Sequence, residues 1–71
     1  MITLETIQKN IIEAIRQCGM TQTAIAKKLH MSQSTIAHYV RGDILPALDT
    51  LANLCAVLDL DANEILGINQ K

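Results

Sequence analysis

Tryptophan and phenylalanine do not occur in this 71-residue sequence, and Tyr39 is its whole aromatic content. Stacking platforms for single-stranded nucleic acid are thereby excluded, and any core must be aliphatic. The two cysteines, Cys18 and Cys55, stand in neither CxxC nor CxxC…HxxxH spacing, so no zinc ribbon and no thioredoxin-type pair is written, and reduced thiols are expected. The longest apolar runs are short, such as Leu54 to Leu58, whereas crossing a bilayer takes roughly 20 residues. Glu5 interrupts the start and no basic-then-apolar stretch follows, so no signal peptide is expected. These absences predict a soluble, cytoplasmic chain with no membrane partner.

What is present is a chain 49% apolar, enough for one packed domain spanning residues 1–71 and no second module. A chain this short buries only about 60% of its unfolded surface, so association with a partner would add to a thin stability margin. Formal net charge is −1, but its distribution is uneven. Lys9, Arg16, Lys27, Lys28 and Arg41 outweigh Glu5 and Glu13 in residues 1–42, with His30 and His38 in addition. Asp43, Asp49, Asp59, Asp61 and Glu64 outweigh Lys71 in the remainder. One part could face an anion while the other faces away.

Apolar spacing reads as five helices. Leu4, Ile7, Ile11, Ala14, Ile15 and Cys18 form one stripe from Thr3 to Cys18, ended by Gly19. Thr21 caps a short second helix through Leu29, with Ile25, Ala26 and Leu29 inward. Ser32 caps a third, which runs to about Arg41 and stops at Gly42. Beyond Pro46, a fourth from about Leu48 to Leu58 carries Leu48, Leu51, Cys55 and Leu58 along one stripe, widened by Leu54 and Val57. Asp61 and Glu64 resemble a capping box for a brief fifth, Ala62 to Leu66, before Gly67. No strand signal appears, which predicts a compact all-α bundle.

The third helix separates its faces cleanly. Ile36 and Tyr39 point one way; Gln33, Ser34, Ala37, His38 and Arg41 point the other. That outward face is short, polar and uncharged except at Arg41, unlike the Lys and Glu of ordinary surfaces. Amide, hydroxyl and imidazole groups are what pair with base edges in a major groove.

At these residues the sequence resembles the helix-turn-helix family of phage repressors, Cro proteins and related bacterial regulators of the XRE type. Gly19-Met20-Thr21-Gln22 matches the entry to the family's positioning helix, and Ala26 the small residue where the two helices cross. Ser32-Gln33-Ser34-Thr35-Ile36 matches the start of the recognition helix and Tyr39 to Gly42 its end; Pro46 through Leu66 follows the family without a gap. The resemblance implies a lambda-repressor-like five-helix bundle whose third helix lies in the major groove of double-stranded DNA while the second crosses the backbone. Carried over by position, Gln33, Ser34 and His38 would read bases. Thr21, Gln22 and Arg41 would meet phosphates, and Thr35 a phosphate or a thymine methyl.

Three positions depart from the family. His30 stands where glycine is common, so backbone strain is expected there. Ile15 and Val40 occupy the places of a buried Arg–Glu pair, a replacement that is often neutral. Asp43-Ile44-Leu45 follows Gly42 where relatives often carry Lys or Arg, which leaves few phosphate clamps and a shallow salt dependence.

Plainer readings stand beside each of these. Cys18 and Cys55 are expected as core thiols without metal or redox work. Lys27 and Lys28 read as solvating charges, and His38 could be a solvated helix residue. Ser34 and Thr35 have no histidine and carboxylate placed as a relay, so catalysis is not expected, nor is a cofactor or metal. Leu54, Val57, Ile65, Leu66 and Ile68 exceed what a five-helix core should cover; they suggest a homodimer interface, against the alternative that they close the monomer. The expected function is a small bacterial or phage regulator, a repressor of a palindromic operator, associated with the nucleoid through DNA. The rival is a protein-interaction module on the same scaffold, such as an antitoxin or accessory subunit. It draws on the acidic second part and the missing clamps.

Overall fold

The computed structural model describes residues 1–68, and within them the chain is entirely helical in its regular structure: α1 (Leu4–Gln17), α2 (Gln22–Lys28), α3 (Gln33–Arg41), α4 (Leu48–Val57) and α5 (Ala62–Leu66). Each start has a local cause. Thr3, Thr21 and Ser32 lie in extended backbone and accept through their hydroxyls from the N–H groups of Thr6, Ala24 and Thr35, three residues on. Asp61 accepts from Asn63 N–H at 2.9 Å, one position earlier than a capping box would place it. Only α4 begins without a side-chain cap, behind Pro46 and Ala47.

The ends of α2 to α5 share one device. His30, Gly42, Asp59 and Gly67 all adopt positive φ, at 55°, 80°, 55° and 78°. In each case the next N–H turns back onto the helix: Met31 to the Ala26 carbonyl at 2.9 Å, Asp43 to His38 at 3.0 Å, Leu60 to Cys55 at 2.8 Å and Ile68 to Asn63 at 2.9 Å. This is the Schellman closure, which satisfies carbonyls the helix leaves open. Two of the four positions lack glycine, and His30 is the strained turn residue anticipated between the second and third helices.

The core centres on Ile25, Ile36 and Leu54, none more than 1% exposed, with Ile11, Ile15, Ala26, Tyr39, Cys55 and Ile65 around them. Each fully buried aliphatic of this kind contributes about 1.5–3 kcal/mol relative to exposure. α2 packs on α3, and α1 lies against both α3 and α5. Buried Ala26 supplies the small residue that lets α2 and α3 approach, and Ile15 is buried in the same core against which half-buried Val40 packs.

The α4 stripe needs correction. Leu48, expected inward, is 85% exposed, while Leu54 sits in the centre of the core. The core-facing set is half-buried Leu51, then buried Leu54 and Cys55 and half-buried Leu58 three, four and seven residues further on, whereas Leu48 is the first helical residue and projects beyond the bundle. Leu4, at the start of α1, is likewise 67% exposed rather than part of the buried stripe.

Candidate nucleic-acid interface

The tight turn around His30 sets the amino ends of α2 and α3 close enough for their side chains to join. Gln33 Nε2 donates to Gln22 Oε1 at 2.7 Å. This bond fixes the orientation of the Gln33 amide and leaves its carbonyl oxygen and second N–H for another partner. Gln33 and Ser34 are exposed on the first turn of α3. Thr35 is half-buried, its hydroxyl 2.8 Å from that of exposed Ser32 and its N–H bonded to the Ser32 oxygen. Thr21 is exposed, with its oxygen accepting from Ala24 N–H at 3.1 Å and its own proton available to donate.

At the other end of α3, Gly42 turns the chain so that Asp43 returns over the last helical turn. Asp43 Oδ2 lies 3.0 Å from His38 Nδ1 and accepts from Arg41 Nε at 3.1 Å. Arg41 Nη2 lies 3.0 Å from the same His38 nitrogen. Hydrogen bonds from His38 first, and from Arg41 second, hold the Asp43 carboxyl below the usual carboxylate range. The two predicted contact residues, His38 and Arg41, are therefore engaged with an acidic neighbour. A histidine–carboxylate pair was not foreseen near Ser34; it exists because the left-handed turn at Gly42 delivers residue 43 to the ring. Among the described residues no hydrogen bond joins Ser34 to His38, so the pair is not coupled to a nucleophile.

Two supports were not foreseen either. From α1, Gln8 Nε2 donates to the Gly42 carbonyl at 3.1 Å and holds the exit of α3. Asn10 Nδ2 donates to the Ile65 carbonyl at 3.0 Å, at the end of α5. Both are amides flanking an apolar stripe, and that flanking position was the available signal. Lys27 and Lys28 are exposed in the last turn of α2.

The expected intersubunit surface divides. Leu54 and Ile65 are buried in the core and have no surface to offer, because α4 and α5 turn them onto α1 to α3. Val57 and Leu66 are half-buried, and Ile68 is 62% exposed. Ile2 joins this end of the molecule unannounced: its side chain comes within 3.7 Å of where a Gly67 Cβ would stand, and it is itself half exposed. A cleft of about 460 Å³ between α1 and the α4–α5 connection has Glu13, Asp61 and Glu64 as its charged lining and Ala14, Leu58 and Ile65 as its apolar lining.

Both cysteines are free. Burial, with Asp61 adding to it, pushes the Cys55 thiol up, so its reactive thiolate is disfavoured. Among the described residues no cluster of His, Cys, Asp or Glu could hold a metal ion, and no helix is long and apolar enough to cross a membrane.

A family model described as helix-turn-helix matches residues 11–65. No curated protein and no solved structure matches the chain.

Proposed function

The chain belongs to the helix-turn-helix family of XRE-type, Cro/C1-like DNA-binding regulators, and from that premise we propose that residues 1–71 act as one domain that reads double-stranded DNA in a sequence-specific manner. The observation that carries this reading is the exposed amino-terminal turn of α3, where Gln33 is oriented by Gln22 beside exposed Ser34. A fixed amide can satisfy adenine bidentately, and hydroxyls pair with several base edges. In this reading Gln33, Ser34 and His38 face bases, while Thr21, Gln22 and Arg41 meet phosphates that set the register. Thr35 is the weakest of the proposed contacts, since its hydroxyl already bonds Ser32.

The regulator is a homodimer that represses by occupying an inverted repeat, with α3 of each copy one DNA turn apart, roughly 34 Å. Ile68 with Val57, Leu66 and Ile2 supports this association, in place of Leu54 and Ile65. It acts in the cytoplasm, on the nucleoid, with neither catalysis nor cofactor.

Selection of bound sequences from a random duplex pool tests the proposal. An enriched inverted repeat is expected, and failure to retain any duplex at low salt would refute it. The rival reading, a protein-interaction module, is favoured by one observation, the acidic cleft lined by Glu13, Asp61 and Glu64. Absence of duplex binding is what it requires.

A further inference from the structure

Arg41 is the only Lys or Arg on α3, and one edge of its guanidinium is already engaged. Nε donates to Asp43 Oδ2 at 3.1 Å, and Nη2 lies 3.0 Å from His38 Nδ1, which is itself 3.0 Å from the same carboxylate oxygen. A ring nitrogen carries either a proton or a lone pair, so His38 Nδ1 donates to Asp43 or accepts from Arg41, never both at once. In either state the Arg41 Nε bond to Asp43 survives. The carboxylate is not there through a floppy loop: Asp43 N–H bonds the His38 carbonyl at 3.0 Å, and Gln8 of α1 holds the preceding Gly42 carbonyl at 3.1 Å.

Carboxylate and phosphate present similar oxygens to a guanidinium. We infer that Asp43 is an internal competitor for phosphate: its carboxylate takes the Nε edge of Arg41 that a DNA phosphate oxygen would otherwise share and offsets the cation's charge, and so restrains sequence-independent binding to duplexes. The inference rests on the reading of α3 as the duplex-facing helix. Non-specific affinity consists essentially of cations neutralising phosphates. A cation that must first leave an acidic partner adds less to that affinity, and while Asp43 stays paired the carboxyl end of α3 presents one positive and one negative charge rather than a free cation. The pair is half exposed, which keeps the exchange accessible instead of locking Arg41 away.

The test measures fluorescence anisotropy of a labelled random-sequence duplex of about two helical turns over a salt series. The proteins compared are wild type, Asp43→Asn, Arg41→Ala and the double variant. All four should share the wild-type circular dichroism, since both sites are exposed, and Asp43→Ala serves as a second probe. Asp43→Asn should bind about two- to fivefold more tightly at low salt and steepen the slope of log K against log salt by about 0.9, the contribution of one freed cation. In the Arg41→Ala background the same substitution should leave the slope unchanged. Weaker or unchanged binding by Asp43→Asn overturns the inference, because Asp43 would then be orienting Arg41 towards DNA. A full gain persisting without Arg41 overturns it also, since Asp43 would only be repelling phosphates at a distance. Wild-type binding without an Asp43 effect removes this inference alone; no binding by any of the proteins removes the DNA reading with it.

Discussion

Replacing His30 by glycine should stabilise the protein. His30 holds φ at 55°, a region that costs L-residues roughly 1–2 kcal/mol, and histidine visits it more readily than most, which favours the lower figure. Nothing else is forfeited: the side chain is exposed, and the bonds that shape the turn are made by backbone, His30 N–H to the Lys27 carbonyl at 3.3 Å and Met31 N–H to the Ala26 carbonyl at 2.9 Å. Against the relief stands the extra freedom glycine gives the unfolded chain, about 0.5–1 kcal/mol. At the lower strain figure the net is a gain of up to about 0.5 kcal/mol, which for a domain of this size raises Tm by no more than about 2–4 °C. Thermal unfolding followed by circular dichroism reads this directly. Asp59→Gly, at the same φ of 55°, is the control; because a short acidic side chain tolerates the left-handed region through local hydrogen bonds, its gain should be smaller. A lower Tm for His30→Gly would mean that the imidazole contributes something beyond its backbone, and the strain argument would be wrong.

Four further outcomes follow from the same geometry. Leu54→Ala should cost about 2–5 kcal/mol in urea unfolding, whereas Leu48→Ala should stay within about 0.5 kcal/mol; equal effects would contradict the burial of the α4 stripe. Asp43 has a folded pKa depressed below its ordinary 3.8, so its contribution is fully present above that value and is lost as pH falls through the lower folded one. The stability difference between wild type and Asp43→Asn should be level at neutral pH and close in acid, and a difference that holds steady to the acid end would refute the pairing. Gln33→Ala should lose about 1–3 kcal/mol on a selected duplex and relax choice at one base pair. Gln22→Ala, which releases the Gln33 amide, should relax the same base pair; relaxation elsewhere would break the link between them. Ile68→Glu should shift sedimentation towards the monomer at a concentration where wild type associates, and an unchanged profile would move the interface away from this end.

The starts of α2 and α3 were legible because hydroxyls at Thr21 and Ser32 are cheap local caps that need no tertiary partner. The positive φ at His30 was legible from the resemblance, because His30 stands where the family commonly has glycine. The phase of α4 was not: most of its residues are apolar, so stripes through Leu48 or through Leu54 fit almost equally, and only packing against Ile25 and Ile36 selects between them. That choice misassigned Leu54 to an outer surface. On α3 the outward position of Gln33 and Ser34 followed from period, but the capture of Arg41 and His38 by Asp43 did not. It depends on a left-handed residue reversing the chain at Gly42, a three-dimensional event that charge spacing along a line does not encode. The role of Gln8 was hidden for the same reason, since its acceptor is a carbonyl 34 positions away.

The two amides of α1 have a mechanical corollary. Gln8 and Asn10 are two residues apart, hence on nearly opposite sides of the same cylinder, and they grip the carbonyls of Gly42 and Ile65. The first helix is thus a strut clamped between the outlet of the third and the tail of the fifth. Each amide closes a carbonyl at a helix exit that water would otherwise have to satisfy, and the loss of either one frees a different end of the bundle from the same strut.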